Sequence, residues 1–171
     1  RSIQDQSDAT RRAKKTVACL LWITDKQLVE IENVLMQFDR ADTAAGAIRS
    51  VGARVCDVLP TIARIAELLN PGLDLATRVE RLLVRLELGI PAAVVELGII
   101  FGRILNRGDY LCLLKNSITT KEVFEGAKED LLLQCFENNR DKLAAVKVRF
   151  DEYERGEKPT PSSPILPTYE G

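Results

Sequence analysis

The sequence predicts an all-α fold, a bundle of about eight or nine helices, on three observations. Apolar residues recur at helical spacing through most of the chain. No stretch alternates polar and apolar residues as a half-buried strand does, and residues that cap or stop helices punctuate the chain. Aromatic residues make up only 5% of the sequence, so Leu, Ile, Val and Ala must form the core, which suits packed helices.

Four helices are predicted in the first half of the chain. Each begins at a residue whose side chain can accept a hydrogen bond from the first turn: Ser7 or Asp8, Thr24, Asp42 and Asp74. Thr24 is followed by Gln27, as in a capping box. Pro60 lies inside the third segment, which is therefore either one bent helix or two. The predicted ranges are 7–23, 24–39, 42–69 and 74–88.

The second half of the chain is predicted to contain one longer helix and several short ones. Gly89 occupies a common helix end and Pro91 a favoured helix start. Thr119 and Glu122 form a second capping-box pattern. The predicted ranges are 91–105, 109–115, 119–127, 130–136 and 140–153. We divide the chain into a helical domain, 1–157, and a Pro-rich tail or linker, 158–171.

Charge and cysteine usage restrict the function. The net charge is −1, whereas free-standing nucleic-acid binders usually carry a basic excess, so any nucleic-acid contact must be local. The four cysteines are widely spaced and are predicted to be buried thiols in a reducing, cytoplasmic setting. The most apolar stretch, 90–105, contains Glu96 and Arg103 and falls short of the roughly 20 residues that span a bilayer, so no membrane partner is predicted.

The residue types for most catalytic chemistry are missing. The chain contains no histidine and no glycine-rich phosphate loop, which removes the usual general base, metal ligand and nucleotide cradle. Glu129 and Asp130 are adjacent carboxylates, but neighbouring helical positions diverge by about 100°, and acids at a helix start are favoured by the dipole. We therefore predict no catalytic residue, no metal site and no cofactor.

Arginines provide the candidate binding surface. Arg78, Arg81 and Arg85 lie at i, i+3 and i+7 of the fourth helix and share one face, where their forked guanidinium groups suit phosphate oxygens. The alternative is a solvated face balanced by Glu80 and Glu87.

The long third helix combines positive charge with small residues. Arg49 and Arg54 lie on it, and its small residues are Ala45, Gly46, Gly52 and Ala53. Glycine inside a helix costs about 0.5–1 kcal/mol relative to alanine, which indicates that another backbone approaches closely. That backbone is either a neighbouring helix or a single strand of nucleic acid.

A compact connection around Arg107 is a further candidate. Residues 106–123 form a helix, a tight connection and a capped return. Such a hairpin can direct backbone amides at a phosphate, or it can be an ordinary helix–helix corner.

The order of these segments resembles a known family. Residues 20–23 (Leu-Leu-Trp-Ile), the long helix capped by Asp42, the Arg-rich helix, residues 107–111 (Arg-Gly-Asp-Tyr-Leu) and residues 118–123 (Ile-Thr-Thr-Lys-Glu-Val) follow one another as in the C-terminal helical region of Ski-two-like superfamily two DNA helicases. The resemblance covers roughly residues 15–137.

The resemblance implies a role beside a translocating strand. In that family the helical domain completes a ring around single-stranded DNA, and a long ratchet helix lies against the strand. Residues 42–69 would take that role, with Arg49 and Arg54 facing the strand, and residues 104–123 are similar to the family's degenerate helix–hairpin–helix. The family's stacking Trp has no counterpart, since no aromatic residue occurs between Phe38 and Phe101. Its Gly-Ile-Gly hairpin is replaced around residues 106–109, and the two ATPase domains are absent.

We therefore expect an accessory, non-enzymatic helical domain of an ATP-dependent DNA helicase. Its expected partners are single-stranded DNA and the motor domains. Without a stacking aromatic residue, arginine–phosphate contacts should dominate and should weaken with salt. The predicted nucleic-acid-binding residues are Arg49, Arg54, Arg78, Arg81, Arg85 and Arg107. The alternative is a helical protein–protein interaction module without a nucleic-acid role.

Overall fold

The structure, a computed structural model, describes residues 3–36 and 44–156, and these residues are all-helical with no strand. This confirms the predicted multi-helix bundle. Two single-turn 3₁₀ helices, Ala92–Val94 and Gly102–Ile104, interrupt the α-helical segments. The nine α-helices of the described part are α1 (Ile3–Trp22), α2 (Leu28–Met36), α3 (Ala44–Leu69), α4 (Ala76–Leu88), α5 (Val95–Phe101), α6 (Arg107–Lys115), α7 (Lys121–Glu125), α8 (Glu129–Cys135) and α9 (Arg140–Glu154).

Helix α3 is one continuous helix through Pro60, which decides between the two predicted alternatives. The side of α3 that carries Gly52, Cys56 and Ala63 packs against α4. Gly52 is buried, and a Cβ placed on it would lie 3.4 Å from the Leu86 carbonyl oxygen. A neighbouring helix is therefore the backbone that approaches this glycine closely. The predicted cap of this helix, Asp42, lies outside the described residues, as does the predicted end of the second helix at Asp39.

The start of two predicted helices differs in the structure. Helix α1 begins at Ile3, so Ser7 and Asp8 lie inside it; no glycine or proline precedes them to stop the helix. The hydroxyl of Thr24 donates to the Leu21 carbonyl oxygen at 2.6 Å, so Thr24 ends α1 rather than capping α2. The backbone N–H of Gln27 donates to the Glu30 carboxylate at 2.9 Å, and α2 begins at Leu28, four residues later than the predicted range of 24–39.

The predicted single helix over 91–105 is wrong. It is divided into a 3₁₀ turn at Ala92–Val94, α5, and a second 3₁₀ turn at Gly102–Ile104. The break lies at Gly102, whose φ of 52° is a left-handed conformation that glycine adopts without steric cost. An apolar stretch alone did not reveal this break, because 3₁₀ and α-helical turns share the same residue types.

Helices α5 to α9 surround the main core. Its centre is a cluster of three phenylalanine rings, with Phe101 4.8 Å from Phe124 and Phe150 5.5 Å from Phe124 between ring centroids. Helix α6 begins with a full capping box between Asn106 and Asp109. The buried Asp109 carboxylate also accepts from Lys142 of α9 at 2.9 Å, so the start of α6 is tied to α9.

Two further predictions are corrected in this half. The cap of α7 is Thr120, not Thr119, because the Thr120 side chain accepts from the Val123 N–H. Only Cys135 of the four cysteines is buried, while the other three are half-buried free thiols; Cys112 packs against the outside of the main core. Among the described helices, none is both long enough and apolar enough to cross a membrane.

Candidate nucleic-acid interface

Helix α4 separates its charges onto two sides. At about 100° per residue, Arg78, Arg81 and Arg85 fall within an arc of about 60°, while Glu80 and Glu87 lie on the far side of the helix. The far side also receives an ion pair, since Arg103 approaches Glu87 at 2.7 Å. The two glutamates therefore do not neutralise the arginine side of α4.

A groove of about 610 Å³ lies beside the arginine side of α4, between α1, α3 and α4. Its floor is apolar, and Leu82 and Leu86 of α4 contribute to it. The charged residues that line it are Lys15 of α1 and Arg54 of α3. Arg78 lies four residues before Leu82, on the same side of α4. Cations from three helices thus lie at or near one groove; we call Lys15, Arg54 and Arg78 its cationic rim. Arg81 follows Arg78 on the arginine side of α4, turned away from Leu82 and Leu86.

Three arginines on or next to this rim are exposed and have no partner among the described residues. Arg54, Arg78 and Arg81 are exposed and form no hydrogen bond or ion pair with any described residue. By contrast, two other exposed arginines are already paired: Arg64 of α3 with Glu67 at 3.2 Å, and Arg103 of the second 3₁₀ turn with Glu87 at 2.7 Å. Unpaired guanidinium groups retain all their donors for phosphate oxygens.

Arg85 belongs to the same face but binds inside the protein. Its Nη2 donates to the Ile23 carbonyl oxygen at 3.3 Å, and its Nε is buried without a hydrogen-bond partner among the described residues. Burial lowers the pKa of Arg85. This side chain therefore stabilises the end of α1, and two of the three α4 arginines, Arg78 and Arg81, reach solvent freely.

Arg107 also binds backbone carbonyl groups rather than solvent. Its Nε donates to the Gly89 oxygen at 2.6 Å, and its Nη2 donates to the oxygens of Thr24 at 3.0 Å and Lys26 at 2.7 Å. Its guanidinium carbon lies 5.0 Å from the centroid of the Trp22 ring. Burial lowers the pKa of Arg107, and nearby Asp25 partly opposes that shift. This side chain of α6 joins the second half of the chain to the α1–α2 connection.

Trp22 is the centre of this junction, and sequence reasoning missed its role. The indole Nε1 donates to the Leu86 oxygen at 2.8 Å, and the ring is 3% exposed, so it does not offer a stacking surface. Gly89, in the left-handed conformation with φ 68°, leaves room for it, because a Cβ there would lie 2.3 Å from the ring. The single Trp of the chain and a glycine after α4 were the available signals.

The remaining candidate, Arg49, lies in a different groove from Arg54. The second groove, of about 680 Å³, contains Arg49, Arg107 and Trp22, and it also contains the carboxylates of Asp57 and Glu87. The Arg49 guanidinium lies 6.0 Å from the Trp22 ring. Arg49 and Arg54 are five residues apart and so diverge by about 140°. The structure brings Arg54, Arg78, Arg81 and Arg85 to one side and Arg49 with Arg107 to the other.

The α6–α7 connection uses its own backbone amides. The N–H groups of Asn116, Ser117 and Ile118 donate to carbonyl oxygens of the last turn of α6. They are therefore already engaged and do not point at a free anion site. Ser117 takes a left-handed conformation with φ 59°, which closes the corner tightly.

No group of three or more cysteine, aspartate or glutamate residues with metal-binding geometry occurs in residues 3–36 and 44–156. Comparison of the whole chain with known proteins gives no match to any protein-family model, any curated protein or any solved structure. The class defined by the observations is thus an all-helical bundle with a cationic groove, and function must be inferred from that groove.

Proposed function

We propose that this chain is an accessory helical domain of an ATP-dependent DNA helicase, which contacts single-stranded DNA in the cytoplasm and braces the motor domains. In this proposal the chain has no ATPase activity and no cofactor of its own. The observation that carries the proposal is the charge separation on α4, which leaves Arg78 and Arg81 unpaired beside a groove lined only by cations among its charged residues.

The proposed contact is electrostatic. Arginine forks bind phosphate oxygens through charge-assisted hydrogen bonds, and phosphate contacts supply the sequence-independent part of nucleic-acid affinity. The rim residues come from α1, α3 and α4, so a strand that follows the groove would meet cations along its length. Since no aromatic residue is among the described residues that line the groove, base stacking of about 1–3 kcal/mol per base is not expected, and affinity should depend steeply on salt.

The test is fluorescence anisotropy with a labelled oligo-dT at several salt concentrations. The test variant is Arg78→Ala/Arg81→Ala, and the matched control is Arg64→Ala/Arg103→Ala, which removes the same charge from exposed arginines that are already paired. Loss of two phosphate contacts should lower the slope of log K against log salt by about 1.4 for a single strand. Arg85 is left intact because its removal would disturb the fold.

Two results of this experiment would contradict the proposal. Equal weakening by both double variants would show that only net charge matters, and would remove the groove from the proposal. Absence of binding by the unmodified chain even at low salt would contradict DNA contact altogether. Circular dichroism of each variant checks that the helices are intact.

A second candidate function is a helical protein–protein interaction module without a nucleic-acid role. The observation that favours it is the apolar exposed side of α3, where Ile62 and Ile65 are both more than half exposed. Such a module would retain its partner binding in the Arg78→Ala/Arg81→Ala variant if apolar contacts dominate.

A further inference from the structure

Helix α3 is apolar on two sides, and the described residues cover only one of them. The first side carries Gly52 and Ala63, which are buried against α4. The second side carries apolar residues separated alternately by four and three positions. This is the heptad spacing by which one helix packs along another. We call it the α3 seam: Val51, Val55, Val58, Ile62, Ile65 and Leu69.

The α3 seam becomes progressively uncovered toward the end of the helix. Val51 and Val55 form part of the groove floor beside α1. Val58, Ile62 and Leu69 are 51%, 56% and 75% exposed. From Val51 to Leu69 the seam spans about 27 Å at 1.5 Å per residue, about five turns of a partner helix. A contiguous apolar surface of this kind marks an interaction site rather than a solvated face.

The charged residues that line the groove end of the α3 seam, Lys15 and Arg54, are both cations. Arg78 lies one turn before Leu82, a lining residue of the same groove, on the same side of α4. The nearest carboxylates of α3 and α4 face elsewhere. Asp57 lines the second groove with Arg49, and Glu67 and Glu80 line a hollow between α3 and α4 on the other side of their contact.

This charge pattern selects the occupant. A second copy of the chain would bring two cationic rims together, and juxtaposed like charges oppose association. We propose that the α3 seam docks an amphipathic helix of another protein, in which aspartate or glutamate residues flank an apolar heptad stripe. The apolar stripe covers the seam, and the acidic flanks pair with Arg54 and Arg78. This inference does not depend on DNA binding by the rim.

The probe is a designed 21-residue helical peptide, labelled, acetylated and amidated. It carries Ile and Leu at the two apolar positions of three heptads and Glu at the flanking positions. A second peptide has Lys in place of every Glu. Binding to the full chain is measured by fluorescence anisotropy without DNA. We expect the Glu peptide to bind at least about tenfold more tightly than the Lys peptide, because charge complementarity across an interface selects partners.

Variants of the chain test the apolar and the charged contributions to peptide binding separately. Ile62→Asp/Ile65→Asp should weaken the Glu peptide at least about tenfold. The matched control is Val148→Asp, which places a charge on an apolar residue of α9 that is 57% exposed, and it should leave binding unchanged. Arg54→Glu/Arg78→Glu should reverse the preference between the two peptides.

Four outcomes would overturn the proposal. Equal binding of both peptides would remove the charge argument, and binding insensitive to Ile62→Asp/Ile65→Asp would remove the α3 seam. A dimer in sedimentation equilibrium that Ile62→Asp/Ile65→Asp dissociates would assign the seam to a second copy. Displacement of the probe by a synthetic peptide of residues 157–171 would assign it to the chain's own C-terminal segment. Failure of the oligo-dT experiment would leave these results unaffected, because no DNA is present.

Discussion

Helices α5–α9 and the end of α4 enclose a cluster of sixteen buried residues that runs from Ile90 to Phe150. Helices α1–α3 share a cluster of four: Ala18, Trp22, Ile31 and Ile48. Yet the α1–α3 region, the first region along the chain, has the longer helices and carries most of the exposed large apolar residues of the described chain. The difference teaches that helix content and burial are separate properties. The second region, α5–α9, uses its apolar residues to hold itself together, whereas the first region presents many of them to solvent, together with the unpaired Arg54.

The largest change in the free energy of unfolding is expected from truncating a core residue of the α5–α9 region. Phe124→Ala should lower the free energy of unfolding by about 3–5 kcal/mol, because the ring contacts Phe101 and Phe150 and its loss leaves a cavity. Ile62→Ala on the α3 seam should change it by no more than about 0.5 kcal/mol, as for other surface substitutions. Urea unfolding followed by circular dichroism measures both. Similar costs for the two variants would mean that the seam is covered in the isolated chain.

An intermediate effect is expected at the junction between the regions. Gly89→Ala forces a left-handed conformation on alanine and places its Cβ 2.3 Å from the Trp22 ring. The conformation costs about 1–2 kcal/mol and the overpacking about 1–3 kcal/mol, so roughly 2–5 kcal/mol is expected in thermal or urea unfolding. The control is Gly72→Ala, which has φ 94° but no atom within 4 Å of the added Cβ, and which should show only the conformational cost. Equal effects would contradict the packing of Trp22 on Gly89.

The smallest expected effect concerns the α3–α4 turn and depends on pH. The Glu67 carboxylate accepts from the Leu75 N–H at 2.9 Å, and this hydrogen bond, followed by Arg64, lowers the pKa of Glu67 below its usual value of 4.5. Since the folded pKa is the lower one, the stabilisation is present above pH 4.5 and is lost as the pH falls through the folded value. The stability difference between the chain and its Glu67→Gln variant should therefore shrink on acidification. A difference constant from pH 7 to pH 3 in urea unfolding would exclude this contact.

Much of the fold could be predicted from the sequence, because helix formation depends on residues that are close together in sequence. Helical spacing, caps and the stop at Gly89 predicted the all-helical class and most helix positions. The small size of Gly52 predicted the close approach of another backbone, and the structure shows that this backbone is a helix. The errors arose where the sequence pattern allows two local arrangements. Thr24 donates back to Leu21 and does not cap α2, and Gly102 divides an apolar stretch that otherwise continues.

The candidate interface could be predicted only in part. The shared face of Arg78, Arg81 and Arg85 follows from helical spacing, but which of them is free does not. Arg85 and Arg107 find carbonyl oxygens 62 and more residues away in sequence, and such partners exist only after the helices pack.

The sequence by itself determined the helical class, the absence of histidine chemistry and the residues that carry positive charge, since these depend on composition and on periods of three to four residues. Tertiary structure alone decided that α3 passes unbroken through Pro60, that Arg49 and Arg54 line different grooves, and that Trp22 is closed between α4 and Arg107. The physical reason is that burial and pairing of a side chain depend on neighbours far away in sequence, which are brought near it only when the helices pack.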